Sequence, residues 1–116
     1  HKIEIIELND SNDLQKESVY ILKHINNQDY VIALDIDGEN LDSVSLAKKI
    51  DSTFLNNGTI TFIIGSSFGL HEDIKKRSNY RLSFSKLTFP HGLFRGILLE
   101  QIYRSFKILN HETYHK

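Results

Sequence analysis

Apolar and polar residues fall in alternating blocks along this chain, and the spacing inside each block predicts strands and helices in turn. Ile3, Ile5, Ile6 and Leu8 mark a short first strand, and Asn9-Asp10-Ser11-Asn12 then supplies turn and cap chemistry. From Asp13 the positions Leu14, Ser18, Ile21 with Leu22, and Ile25 recur three or four apart, which is one face of a helix. Residues 30–36 (YVIALDI) are a continuous apolar run, the mark of a strand covered on both faces in a parallel sheet, and Asp37-Gly38-Glu39-Asn40 is predicted to end it. A second helix is predicted from about Asp42, with Ala47, Ile50 and Phe54 sharing a face and Asn57-Gly58 as its stop. Residues 59–64 (TITFII) read as the third strand, 71–77 as a short helix and 80–84 as the fourth strand. The last helix, predicted over 92–109, sets Leu93, Ile97, Ile102, Phe106 and Leu109 on a broad apolar stripe, with Arg95, Arg104 and Lys107 off its centre.

Strict alternation with short connections argues a single α/β domain over 1–116, with a mainly parallel sheet and helices on both faces. Open sheets of this kind bind ligands outside the carboxyl ends of their strands. Those ends are 35–38, 65–69 and 85–88, which are expected to converge on one rim. Phe94, Leu98, Leu99 and Tyr103 widen the stripe of the last helix beyond what one core face needs, so an isologous dimer through that helix is expected.

Composition narrows the classes. The chain is 40% apolar and 25% charged, as globular domains are, and has no cysteine. That excludes disulfides, thiolate metal sites and a cysteine nucleophile, and it agrees with a reducing compartment. No apolar run approaches the ~18 residues of a membrane helix, so no membrane partner is expected. Net charge is −1, yet residues 1–57 carry five Lys/Arg against eleven Asp/Glu, whereas residues 58–116 carry nine against four. The C-terminal half is therefore expected to face an anionic partner, nucleic acid first.

Candidate chemistry gathers at the rim. In residues 83–92 (SFSKLTFPHG) the only proline, Pro90, fixes a corner, around which Ser83, Ser85, Lys86, Thr88 and His91 could hold a polar ligand or cap the next helix. The run GSSFG (65–69) is neither GxGxxG nor a P-loop, and reads on spacing as a strand-to-helix turn. Asp35, Asp37 and Glu39 could bind a metal through oxygen, but no further carboxylates complete a set; the six histidines show no zinc spacing. No metal is expected. No G-x-S-x-G elbow occurs, which leaves a hydrolase without support. The last six residues, HETYHK, place two histidines, a tyrosine and a lysine together.

Taken together, ALDIDG (33–38), FIIGSSFGL (62–70), YRLSFSKLTFPHGLFRGILLEQIYRSFKI (80–108) and a terminal YHK (114–116) resemble the ribosomal RNA large subunit methyltransferase H family, of the SPOUT class. The resemblance runs over essentially the whole chain, and LSFSKLTFPH followed by LLEQIYR is its specific part. It implies an S-adenosylmethionine-dependent methyl transfer to N3 of a pseudouridine in 23S rRNA of the large ribosomal subunit, by a cytoplasmic homodimer. It also implies a C-terminal trefoil knot that makes the cofactor pocket, an exception to the rule that chains stay unknotted. Carried over by motif, the cofactor contacts fall on Leu34, Gly65 and the run Phe84, Ser85, Lys86, Leu87, Thr88, Phe89.

Two departures from the family pattern bear on this. Where the family reads IGG this chain has Ile64-Gly65-Ser66, and the Ser66 side chain is expected to point away from the cofactor. The family's strand and helix ahead of the IEIIE strand have no counterpart in residues 1–116; if they are absent and not trimmed, an exposed sheet edge is expected.

For the chemistry, a proton must leave N3; the candidates are His115 as base or orienter, Tyr114 and Arg95 as substrate contacts, and His91 as a local hydrogen-bonding group, and the sequence establishes none as the base. The basic last helix and the tail are expected to bind RNA, the second subunit's tail completing the site. Two other readings stay open: a non-catalytic RNA- or ribosome-binding module of the same fold, and a SPOUT methyltransferase acting on tRNA.

Overall fold

A computed structural model describes residues 1–8, 13–66, 69–85, 87, 89 and 92–115. The turn expected at 9–12, and Lys86, Thr88, Pro90 and His91 of the expected corner, lie outside the described residues. Strands β1 (Lys2–Glu7), β2 (Tyr30–Asn40), β3 (Thr59–Ile64) and β4 (Tyr80–Ser83) alternate with helices α1 (Leu14–His24), α2 (Ser43–Phe54), α3 (Glu72–Arg77) and α4 (Leu93–Leu109). The strands form one sheet in the order β1-β3-β2-β4, every neighbouring pair parallel. β1 and β4 are its edges. Residues 60–64 of the inner strand β3 are all buried, which is why TITFII shows no polar alternation.

Helices cover both faces. On one, Ile32, Ile60, Phe62, Ile64 and Leu82 pack against Leu46 and Ile50 of α2 and Leu98 and Ile102 of α4. On the other, Leu8, Val31 and Ile63 meet Ile21 and Ile25 at α1 and Ile74 of α3. Each fully buried Leu or Ile contributes about 1.5–3 kcal/mol, so these two clusters are the main source of stability. Side-chain caps set the helix starts: Asp13 Oδ1 accepts from Lys16 N at 3.0 Å and Asp42 Oδ1 from Ser45 N at 2.7 Å.

Two features differ from the sequence expectation. β2 does not stop at Ile36 but continues to Asn40, and both Leu34 and Glu39 pair with Leu82 of β4, so residues 35–38 bulge out between them. Gly38 makes this possible, since a Cβ there would lie 2.6 Å from the carbonyl oxygen of Arg81. Asp35 pins the bulge from both ends: its Oδ1 accepts from Asp37 N at 3.1 Å, and its Oδ2 lies 3.3 Å from Arg81 Nη1. A run of polar residues around a glycine looks like a turn in the sequence, and only the position of the neighbouring strand tells it from a bulge.

The second difference concerns α4. Leu98, Ile102 and Ser105 form its buried face, whereas Leu93 and Phe106, placed on the core stripe by periodicity, are exposed beside Leu99 and Tyr103. A helix that is apolar nearly all round does not declare in its sequence which side meets the core.

Gly38→Ala is expected to destabilise the fold by about 1–3 kcal/mol in denaturant unfolding, because backbone must move to admit the methyl group. Gly58→Ala, where a Cβ meets nothing within 4 Å, is the control and should change stability by less than about 0.5 kcal/mol.

Candidate functional site

The carboxyl ends of β2, β3 and β4 enclose a cavity of about 370 Å³. Its wall takes Leu34, Asp35, Ile36 and Asp37 from β2, Ile64, Gly65, Ser66, Gly69 and Leu70 from β3 and the segment after it, and Leu82, Ser83, Phe84, Ser85, Leu87 and Phe89 from β4 and the following loop. Lys75 of α3 and Phe94 of α4 complete it. The three strand ends thus meet at one rim, as parallel α/β topology requires.

Local chemistry shapes each part of the wall. After β3 the chain turns back so that Gly69 N donates to Ser66 O at 2.9 Å, with Gly69 at φ +87°. A Cβ on Gly65 would sit 3.0 Å from Gly69 O, so any larger residue there must push the returning chain back. Ser66 is buried within the wall. After β4, Ser83 Oγ donates to Ser85 O at 3.2 Å and Ser85 Oγ accepts from Leu87 N at 3.0 Å, so both hydroxyls hold the loop's own backbone. Phe94 stacks with Phe84 at 6.4 Å and meets Phe89 edge-on at 5.3 Å, giving the cavity an aromatic side.

Charge in the wall is of both signs. The Asp35 side chain is only 7% exposed and is paired with Arg81, while Lys75 Nζ lies 3.7 Å from Glu72 Oε1. Among the described residues no group of three or more His, Cys, Asp or Glu is arranged to hold a metal ion. No helix among them is long and apolar enough to cross a membrane.

Of the residues singled out from the sequence, Leu34, Gly65, Phe84, Ser85, Leu87 and Phe89 all line this cavity. Lys86 and Thr88 lie outside the described residues, as does His91. Arg95, Tyr114 and His115 do not line it. Arg95 stands in the first turn of α4, with Nη1 3.8 Å from Glu7 Oε1. Tyr114 and His115 fold back along α4: the Tyr114 hydroxyl reaches Glu100 Oε1 at 3.2 Å, and Arg104 Nη1 lies 3.0 Å from His115 Nδ1. Arg104 also covers the Tyr114 ring at 4.9 Å and binds Glu100 through Nη2 at 2.7 Å. Sequence reasoning passed over Phe94, Leu70 and Lys75. Phe94 sits two residues after Gly92 and could have been found as the aromatic nearest the corner, but helical periodicity counted it toward a packing stripe.

Comparison with known proteins agrees with this architecture. A family model described as "Predicted SPOUT methyltransferase" matches residues 1–115. "Ribosomal RNA large subunit methyltransferase H" of Clostridium botulinum (strain 657) is 53% identical over 103 residues, which is 88% of this chain and 65% of that protein. A Methanococcus maripaludis relative is 56% identical over 104 residues, 89% of this chain and 65% of its own length. The chain thus spans a little under two thirds of the curated relatives it matches.

The tail's attachment is predicted to be acid-labile. Hydrogen bonding from Arg104, aided by Tyr114, holds the Glu100 carboxyl below its ordinary value of 4.5. A lowered folded-state value stabilises above the unfolded one and is lost as pH falls through the folded one. Acidification below pH 4.5 should therefore release Tyr114, read by NMR as loss of the ring-current shifts that Tyr103 gives the Tyr114 ring and that Tyr114 gives the Arg104 side-chain protons. Glu100→Gln should remove that pH dependence.

Proposed function

Because the chain belongs to the SPOUT methyltransferase family, we propose that it methylates N3 of a pseudouridine in 23S rRNA of the large ribosomal subunit, in the cytoplasm, with S-adenosylmethionine as donor. The observation that carries this reading is the cavity at the strand ends, which gathers on one rim the described motif residues of a chain 53% identical to a ribosomal RNA methyltransferase.

The cavity suits the donor. Its volume of about 370 Å³ lies in the ~300–1,000 Å³ range of small-molecule sites. Its aromatic side complements a purine, and the Asp37 carboxylate in the same wall complements a cation. When bound, S-adenosylmethionine supplies a methyl group activated by a positively charged sulfur. Leu34, Gly65 and the run Phe84, Ser85, Lys86, Leu87, Thr88, Phe89 would hold it, and the chain's contribution is to orient the reacting partners and exclude water.

At the acceptor, the imide proton must leave N3, and groups that stabilise the resulting anion lower the barrier. Arg95, Tyr114 and His115 are assigned to that side. Since none of the three lines the cavity of its own chain, a second copy brings them to it. The exposed face of α4, with Leu93, Leu99, Tyr103 and Phe106, supports pairing of two copies there, and the excess of basic residues in 58–116 supports RNA as partner.

Methylation of purified ribosomes and of bare rRNA with labelled donor, followed by mapping of the modified base, tests the reading. Label on a pseudouridine of 23S rRNA is the expected result; label only on tRNA, or none, would reject it. Removing residues 114–116 should abolish methylation and leave donor binding intact by calorimetry. For the pairing, sedimentation should give a dimer at micromolar concentration, and Leu99→Glu with Tyr103→Glu should give a folded monomer.

A further inference from the structure

The contact between Arg104 and His115 fixes more than the position of the tail. Every polar hydrogen of a guanidinium is a donor, and it offers no lone pair. Arg104 Nη1 lies 3.0 Å from His115 Nδ1, so Nδ1 must be the acceptor and must carry no proton. A neutral His115 ring then bears its single proton on Nε2.

Arg104 is not free to turn away. Its Nε and Nη2 bind Glu100 Oε1 at 2.9 and 2.7 Å, which leaves Nη1 as the part of the fork facing the tail. Glu100 is held in turn: its Oε2 accepts from Gln101 Nε2 at 3.0 Å, and Gln101 Oε1 accepts from Ser43 Oγ at 2.7 Å, at the start of α2. The acidic groups whose charge acts on His115 are Asp42, at the same end of α2, and Glu100 itself. Among the described residues, Nε2 of His115 has no hydrogen-bond partner.

We propose that Arg104, anchored by Glu100, is a positioning residue that sets His115 in its Nε2–H form, so that His115 serves the reaction as a hydrogen-bond donor and not as the base. This rests on the methylation proposed above. Loss of the imide proton places negative charge on the carbonyl oxygens beside N3, and a fixed Nε2–H stabilises that charge. The imide proton passes to solvent, since a ring already protonated on Nε2 and occupied at Nδ1 has no lone pair to accept it.

The tautomer can be read without substrate, from long-range ¹H–¹⁵N correlations of the His115 ring in the full-length protein at about pH 8, above the usual histidine range near 6.5. Wild type should show protonated Nε2 and bare Nδ1. The double charge reversal Glu100→Arg with Arg104→Glu keeps an i, i+4 ion pair but turns an acceptor toward Nδ1, and should invert the pattern. Should that variant not fold, Arg104→Leu should instead let the second tautomer appear. A protonated Nδ1 in wild type, or a pattern indifferent to every Arg104 substitution, overturns the proposal. In the methylation assay, His115→Gln, whose amide can donate but cannot take a proton at neutral pH, should keep kcat within about tenfold of wild type, whereas His115→Ala should lose about a hundredfold. Equal loss in both variants, with the acid limb of the pH profile removed, makes His115 the base and rejects the donor role. Because the tautomer readout needs no RNA, failure of the substrate assignment and failure of this proposal are told apart.

Discussion

The constraint on which the site depends is the passage of the β4 backbone over Gly38. With the Arg81 carbonyl where a Cβ would be, β2 can rejoin β4 at Glu39 only by pushing residues 35–38 out of register. That bulge turns what would be an ordinary strand end into one wall of the cavity, and it places Asp35 there with its side chain almost wholly buried against Arg81. The other walls follow from similar local necessities. Gly65 is tight against the returning chain at Gly69, and the serines of the β4 loop bind their own backbone. The glycines and serines at the rim thus shape the cavity, while Phe84, Phe89 and Phe94 give it an aromatic surface.

α4 links this cavity to everything else the chain presents. One face, Leu98 and Ile102, closes the core against α2; its first turn sends Phe94 into the cavity; its far end anchors the tail through Glu100 and Arg104. Another side exposes Leu99, Tyr103 and Phe106. A single helix therefore carries core packing, a cavity wall, tail anchorage and a surface suited to a second copy, which explains why its sequence is apolar on more than one side.

Much of this was legible in the sequence, and the reasons differ by element. Alternating blocks gave the parallel α/β order, because a strand buried on both faces, such as TITFII, has no other reading between two helices. The rim was legible because topology alone sends ligands to the carboxyl ends of parallel strands. The bulge was not, since Asp37-Gly38-Glu39-Asn40 has the composition of a turn and its meaning depends on Arg81, more than forty residues away. Nor was the core-facing side of α4, where apolar residues occupy nearly every direction. The Glu100–Arg104–His115 chain combines a local i, i+4 pair, visible in principle, with a tail whose return no periodicity predicts.

The central claim is that two copies share each site, one giving the cavity and the other the tail. Mixing two inactive variants tests it most directly: Ser85→Trp, which fills the cavity and keeps the tail, and a chain lacking residues 114–116, which keeps the cavity. After the subunits exchange, random pairing should restore methylation to about a quarter of the wild-type rate, because half of the dimers then hold one complete site. A mixture as inactive as its components, with mixed dimers shown to be present, would place tail and cavity of one site on the same chain and contradict the account.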